Sequence, residues 1–128
     1  VTTVVDLLVR DGCQIAVLDT TINHLPEVFE YELVTEVVDA IQGDGYEYLL
    51  AGASCLAGDL FGAYTFADPL RIGQRIVFAK VGAYTLVKAH MFNGICLPGA
   101  YTTCAESGLT LEYQPDYDDF VRQLWDRQ

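Results

Sequence analysis

The stretch TTVVDLLVRDGCQIAVLDTT, residues 2–21, decides the fold class of this protein. It contains two runs rich in β-branched and other apolar residues, TTVVDLLV and QIAVLDTT, which are separated by RDGC. Such runs favour β-strands, and the pair Asp11-Gly12 is typical of a tight turn. The sequence therefore predicts a β-hairpin at residues 2–21.

Further strands are predicted along the rest of the chain. They are expected after Gly45, at residues 75–78 and in GLTLEY at residues 108–113. A longer strand is expected from Tyr84 onward, ending at the turn Asn93-Gly94. In that strand, alternation would give one face to Tyr84, Leu86, Lys88, His90 and Phe92.

Residues 22–41 are ambiguous. Pro26 could open a short helix, whereas the Val, Phe, Tyr and Thr residues of this segment favour extended structure. Only a turn near His24 is predicted there.

The end of the chain, PDYDDFVRQLWDR at residues 115–127, predicts a helix with Pro115 near its start. Its apolar side would carry Phe120, Leu124 and Trp125. Taken together, the pattern predicts one mainly β domain over residues 1–128 with a short closing helix.

Composition narrows the classes of function. The 128 residues carry a formal net charge of −11, which disfavours nucleic acid and anionic membranes as partners. It suits a cationic small molecule, although a solvated acidic surface is the alternative. No run approaches the roughly 20 apolar residues of a membrane span. Because 52% of the residues are hydrophobic, we expect some apolar surface to face another domain or subunit.

The four cysteines, Cys13, Cys55, Cys96 and Cys104, form no C-x-x-C pair and no disulfide framework of a small secreted protein. A reducing cytoplasm is therefore the expected location. The two histidines show no ligand spacing with the cysteines, so no metal site is expected.

The segment GASCLAGDLFGAYTF, residues 52–66, places Cys55 and Asp59 four positions apart among Gly, Ala and apolar residues. Gly52 and Gly58 would let the backbone approach a ligand closely. A nearby Asp59 charge would favour a protonated thiol, and hence a role as an acid rather than a nucleophile. The alternatives are that Cys55 is a small buried hydrophobe and that Asp59 caps a helix or turn.

Tyr84 lies in VGAYTLV, where its phenol could bond a phosphate or simply pack in a strand. No glycine-rich loop of the nucleotide-binding type is found.

Three segments resemble the pyridoxal-phosphate-dependent basic amino acid decarboxylases with an alanine-racemase-like fold. GASCLAGD at residues 52–59 resembles their cysteine loop, GAYT at residues 82–85 resembles the segment with a phosphate-binding tyrosine, and FNG at residues 92–94 follows at the family's spacing. Within this group the loop CLAGD is most similar to that of the carboxynorspermidine (carboxyspermidine) decarboxylases. Ornithine and diaminopimelate decarboxylases tend to have an acidic residue where this chain has Leu56.

The resemblance implies a β-sandwich or barrel-like C-terminal domain of a fold-type III enzyme, packed on an α/β barrel in a homodimer with active sites at the subunit interface. Cys55 would reach into the partner subunit's site and help control protonation of the carbon that CO₂ has left. Asp59 would contact the amine end of a cationic polyamine-type substrate. Tyr84 would bond the phosphate of pyridoxal 5′-phosphate, and Phe92 would line the interface near the substrate.

The resemblance also implies a barrel lysine that carries the cofactor. The chain has only Lys80 and Lys88, and neither has that context. It begins with Val1, and its only methionine is Met91. We therefore expect a C-terminal piece without its barrel, inactive by itself.

Two other interpretations stay open at this point. One is a related decarboxylase acting on diaminopimelate or ornithine, against which Leu56 argues. The other is a β module that binds a partner and does no chemistry.

Overall fold

The computed structural model describes residues 1–125 and is mainly β, as predicted. Its strands are β1 (Thr2–Arg10), β2 (Cys13–Leu18), β3 (Glu36–Val37), β4 (Ala40–Ile41), β5 (Tyr46–Ala51), β6 (Leu60–Phe66), β7 (Arg75–Ile76), β8 (Phe78–Ala79), β9 (Ala100–Cys104) and β10 (Gly108–Tyr113). Its α-helices are α1 (Pro26–Glu30), α2 (Ala83–Lys88) and α3 (Tyr117–Leu124), and two 3₁₀ turns cover Ile22–His24 and Phe92–Gly94.

Six strands form one sheet in the order β4-β6-β5-β2-β1-β7. Neighbouring strands are antiparallel, except that β2 and β5 run parallel. Two smaller sheets pair β3 with β8 and β9 with β10. Alternate residues of the central strands form the core, and their fully buried members are Val4, Ala16, Leu18 and Leu50.

The predicted hairpin at residues 2–21 is confirmed, since β1 and β2 are antiparallel with Arg10 opposite Cys13. Asp11 and Gly12 both have positive φ, 52° and 80°. This is the backbone of a two-residue hairpin turn whose twist matches that of the strands, and Asp and Gly tolerate it.

The segment at residues 52–66 divides into two parts. Residues 52–59, which we call the cysteine loop, join β5 to its antiparallel neighbour β6. The rest is strand β6, which the sequence analysis did not separate from the loop. In β6 the buried residues are Phe61, Tyr64 and Phe66. The spacing of three between Phe61 and Tyr64 reflects a register shift near Phe61, where Gly62 has a φ of 121°.

The turn predicted near His24 is confirmed by the first 3₁₀ turn, Ile22–His24. Both interpretations of residues 22–41 hold in part. Pro26 opens the short helix α1, as suits a residue with a fixed φ and no N–H to lose. The extended part is limited to β3 and β4.

The strand predicted from Tyr84 onward is wrong. Residues 83–88 form helix α2, so the five residues expected on one strand face do not share one. Thr85 donates a hydrogen bond to Glu27 of α1, and Lys88 pairs with Glu30. Contacts between the two helices therefore override the extended preference of Tyr, Thr and Val.

The strand predicted at residues 75–78 is divided between two partners. Arg75–Ile76 pairs with β1, and Phe78–Ala79 pairs with β3. The chain thus leaves the large sheet at Val77, whose carbonyl accepts from the N–H of Val38.

The last strand and the closing helix are confirmed as β10 and α3. Helix α3 begins with a capping box in which Asp116 and Asp119 each accept from the other's backbone N–H. Of the predicted apolar side, Phe120 is half-buried, whereas Leu124 and Trp125 are 54% and 64% exposed. Residues 126–127 of the predicted helix lie outside the described residues.

Large apolar side chains are exposed on α2 and on the β9–β10 hairpin. Leu86 and Val87 of α2 are 74% and 81% exposed, and Leu109 of β10 is 72% exposed. Within residues 1–125, no helix is long and apolar enough to cross a membrane.

Replacement of Leu50 tests the core. Leu50 is 0% exposed, and Leu50→Ala should lower the free energy of unfolding by about 2–5 kcal/mol because it leaves a cavity. Leu60→Ala, at a residue 42% exposed on the adjacent strand, should cost less than about 1 kcal/mol. Urea unfolding of the complete protein that carries this chain measures both, and equal losses would contradict the packing.

Candidate functional site

The cysteine loop is fixed at both ends by backbone hydrogen bonds. The N–H of Gly52 donates to the carbonyl of Asp59 at 2.8 Å, and the N–H of Ala53 donates to the carbonyl of Thr20 at 2.8 Å. The loop is therefore closed on itself and tied to the chain that follows β2.

Asp59 lies inside this loop rather than on its surface. It is 5% exposed, and one carboxylate oxygen accepts from the N–H of Ile22 at 2.6 Å and the hydroxyl of Thr21 at 3.2 Å. The other oxygen accepts from the N–H of Ser54 at 3.0 Å and from its hydroxyl. A Cβ on Gly52 would lie 2.3 Å from both oxygens, so only glycine fits there.

These contacts correspond to the capping alternative that the sequence left open for Asp59. A buried carboxylate with four donors is stabilised where it is, and it holds the first 3₁₀ turn against the cysteine loop.

Cys55 is exposed at the tip of the loop, so the alternative of a buried small hydrophobe is wrong. Its sulfur accepts a hydrogen bond from the side-chain amide of Asn93, with Nδ2 and Sγ 2.8 Å apart. Leu56, the next residue, packs against the hydrophobic core. Leu56 thus attaches the loop to the core, while the thiol of Cys55 is exposed to solvent.

The second 3₁₀ turn, Phe92–Gly94, lies beside the cysteine loop. Phe92 is half-buried, and its ring lies edge-on to that of His90 at 6.5 Å between centroids. Met91, 4% exposed, packs into the interior just before the turn. The structure therefore brings Cys55 close to the FNG segment. Two of the three segments that carry the family resemblance, GASCLAGD and FNG, are thus in contact.

Tyr84 lies apart from that pair, on helix α2. It is 74% exposed and lines a cavity of about 250 Å³ together with Leu33, Thr35 and Lys80. Its phenol is available to a ligand or to another part of the protein, and packing within a strand is excluded as its role.

His24 is a buried polar residue that the sequence did not indicate, since only a turn was predicted there. It is 5% exposed, its Nδ1 lies 2.9 Å from the hydroxyl of Thr20, and its buried Nε2 has no partner among the described residues. Burial lowers the pKa of His24, although the Ile95 backbone and the Asp59 carboxylate act in the opposite direction. The His24 ring therefore favours the neutral form.

His24 also lines two cavities, of about 300 and 490 Å³. The sequence around this histidine reads TTINHLP, with two threonines before it and a proline after it. That run does not indicate that the histidine is buried.

Neither lysine is a free amine. A hydrogen bond from Lys88 to Glu30, with a second to Tyr31, raises the pKa of Lys88 well above its usual range. A hydrogen bond to Glu36 likewise raises the pKa of Lys80. A lysine must lose its proton to attack a carbonyl carbon, so both are poorly suited to carry a cofactor aldehyde.

No family model matches the chain. It is 35% identical over 115 residues to a carboxynorspermidine/carboxyspermidine decarboxylase from Herminiimonas arsenicoxydans, a match that covers 89% of this chain and 31% of that protein. It is 39% identical over 125 residues to a carboxyaminopropylagmatine decarboxylase from Synechocystis, covering 95% of this chain and 32% of that protein.

Among solved structures, the chain is similar to carboxynorspermidine decarboxylase from Campylobacter jejuni in complex with norspermidine. The TM-score is 0.89 at 34% identity, covering 95% of this chain and 37% of that one. The chain therefore spans about one third of the length of the relatives that it matches.

Over the third of their length that it spans, the chain is similar in sequence and fold to the carboxynorspermidine/carboxyspermidine decarboxylases, and the resemblance predicted from the sequence is confirmed.

His24 should make the protein less stable as the pH falls. Unfolded His24 binds a proton with a pKa near 6.5, whereas the pKa of folded His24 is lower. The unfolded state thus binds more protons below about pH 6.5, and stability is lost as the pH falls through that value. Thermal midpoints of the complete protein at pH 7.5 and 5.5 should differ more in wild type than in His24→Gln. An equal difference in the two proteins would contradict this role of His24.

Proposed function

We propose that this chain is the C-terminal β domain of a pyridoxal-phosphate-dependent decarboxylase that converts carboxynorspermidine or carboxyspermidine to norspermidine or spermidine. The observation that carries this proposal is the exposed Cys55 thiol on a loop closed around a buried carboxylate, beside the FNG turn. The named relatives supply the reaction and the substrate class.

The cofactor fits the residues present only in part. The exposed phenol of Tyr84 is a suitable donor to a phosphate oxygen. Lys80 and Lys88 are held as ammonium ions by glutamates, so the lysine that carries the cofactor comes from another part of the protein. Pyridoxal phosphate, when bound, accepts the electron pair released as CO₂ leaves. The isolated chain is therefore inactive.

Cys55 supplies the thiol. Its sulfur lies on the surface of this chain, where a site on a partner subunit could receive it, as in a homodimer. There it controls protonation at the carbon that loses CO₂, and the proton comes from the thiol. The exposed apolar side chains of α2 and of the β9–β10 hairpin suit contact with the barrel or the partner subunit.

Phe92 and the net charge favour a substrate with an apolar chain and cationic ends. The half-buried ring of Phe92 offers a surface for methylene groups next to the thiol. The formal net charge of −11 attracts a polyamine and repels nucleic acid and anionic membranes. Four free cysteines suit a reducing cytoplasm.

The contact expected between Asp59 and the substrate amine stays a prediction. Both Asp59 oxygens already accept hydrogen bonds from Thr21, Ile22 and Ser54, which favours an effect on substrate through the loop.

Carboxyaminopropylagmatine is a second candidate substrate, because the relative named for it is 39% identical to this chain. The complete protein, purified with pyridoxal phosphate, should be assayed for CO₂ release from this compound, carboxynorspermidine, carboxyspermidine, diaminopimelate and ornithine. Carboxynorspermidine or carboxyspermidine should react fastest. Preference for diaminopimelate or ornithine would overturn the substrate assignment, and a protein without cofactor or CO₂ release would be a non-catalytic module.

Replacement of Cys55 tests the role of its thiol. In the complete protein, Cys55→Ala should lower kcat about 100-fold or change the product, because the positioned proton donor is lost. The absorbance of the bound cofactor should stay unchanged. Cys13→Ala, which removes another exposed thiol, is the matched control. Wild-type kinetics in Cys55→Ala would contradict the role.

Replacement of Asp59 separates the two interpretations of this residue. Asp59→Asn replaces one acceptor oxygen by an NH2 group, which faces groups that are themselves donors. The change should therefore lower the thermal midpoint and reduce kcat for every substrate. Glu106→Gln, a change of the same kind at an exposed residue of the β9–β10 hairpin, is the control. A raised KM with an unchanged thermal midpoint would instead identify Asp59 as a substrate ligand.

A further inference from the structure

Two loops that are remote in sequence meet at one side-chain contact. The amide Nδ2 of Asn93, in the second 3₁₀ turn, lies 2.8 Å from Sγ of Cys55 at the tip of the cysteine loop. Both residues are exposed. The contact is thus made at the surface that carries the thiol rather than in the core.

The backbone at Asn93 is unusual for a residue with a side chain. Its φ and ψ are 57° and 21°, in the left-handed region, and Gly94 follows with φ of 74°. Asn is one of the few residues that adopt this conformation at low cost. A glycine would adopt it at still lower cost, so the amide side chain has a use that the backbone alone does not explain.

The turn that carries Asn93 is firmly held. The N–H of Gly94 donates to the carbonyl of Met91 at 3.1 Å, and the N–H of Ile95 donates to that of Phe92 at 3.2 Å. Just before the turn, the N–H of His90 donates to the carbonyl of Asn23 at 3.3 Å. The chain just before Asn93 is therefore bonded to the first 3₁₀ turn, the same element that Asp59 holds against the cysteine loop.

We propose that Asn93 is a positioning residue for Cys55, an inference that rests on the proposed function. The amide hydrogen occupies a lone pair of the sulfur and fixes the direction of the Cβ–Sγ bond. A thiol that accepts from Asn93 directs its own hydrogen away from the amide, so this hydrogen is available for the transfer that the proposed function requires. Asn93 keeps both amide hydrogens, and the proton that is transferred is that of the thiol.

A neutral amide suits this task better than a charged group. A lysine or arginine at this position would repel a cationic substrate, and a carboxylate would have no hydrogen to donate to the sulfur. The amide orients the thiol without adding charge.

The test uses Asn93→Gly in the complete protein, because glycine keeps the left-handed backbone and removes only the amide. The first readout is the alkylation rate of Cys55 by iodoacetamide, mapped by peptide mass spectrometry against Cys13 of the same molecule. The Cys55 rate should fall by up to about 12-fold, because iodoacetamide reacts with the thiolate and a hydrogen bond donated to sulfur stabilises that form. Asp39→Gly, which makes the same backbone change at another exposed residue with positive φ, should leave the ratio unchanged.

The second readout is kinetic. In Asn93→Gly, kcat should fall by a similar factor while KM and the cofactor absorbance stay close to wild type. Asn93→Asp keeps the side-chain shape but loses the donor, and kcat should fall there too. A normal kcat in Asn93→Asp together with a low kcat in Asn93→Gly would overturn the proposal, because it would attribute the loss to the more flexible backbone of glycine and not to the missing amide donor.

If the wild-type enzyme is active and Asn93→Gly leaves the alkylation ratio of Cys55 to Cys13 unchanged, the positioning role of Asn93 is overturned while the proposed function stands. A wild-type protein that binds no cofactor and releases no CO₂ would overturn the proposed function, and with it the role of the contact in catalysis. The alkylation ratio still distinguishes the two cases, because it needs neither substrate nor cofactor.

Discussion

Both oxygens of the buried Asp59 carboxylate accept hydrogen bonds, one set from the chain that follows β2 and the other from the cysteine loop. A carboxylate buried without such donors would cost several kcal/mol, so the two segments are stable only when they are together. Gly52 is required for the same reason, since any side chain there would collide with the carboxylate. The position of Cys55 follows from this arrangement.

The sheet makes that arrangement possible. Strand β5 runs parallel to β2, so the carboxyl ends of both strands lie at the same edge. The segment with Thr21 and the cysteine loop both begin at this edge. The loop then returns into β6, whose buried aromatic residues fix it to the core. A short loop between two well-packed strands has little freedom, which suits a side chain that must present one atom in one direction.

Much of this chain's apolar surface has no partner within the described residues. The exposed Leu86 and Val87 of α2 and the isolated β9–β10 hairpin are unusual for an independent domain, since a two-stranded hairpin is only marginally stable in water. A chain that spans one third of its relatives explains both features, because further surface of the protein can cover them.

The sequence by itself determined the first hairpin, the mainly β class, the final helix and, through the cysteine loop, GAYT and FNG segments, the resemblance to known decarboxylases. These depend on local alternation, turn residues and short motifs. Only the tertiary structure decided that Tyr84 lies on a helix, that His24 is buried, and that Asn93 contacts Cys55. Each of these depends on which remote segments the sheet brings together, and local preference carries no information about such contacts.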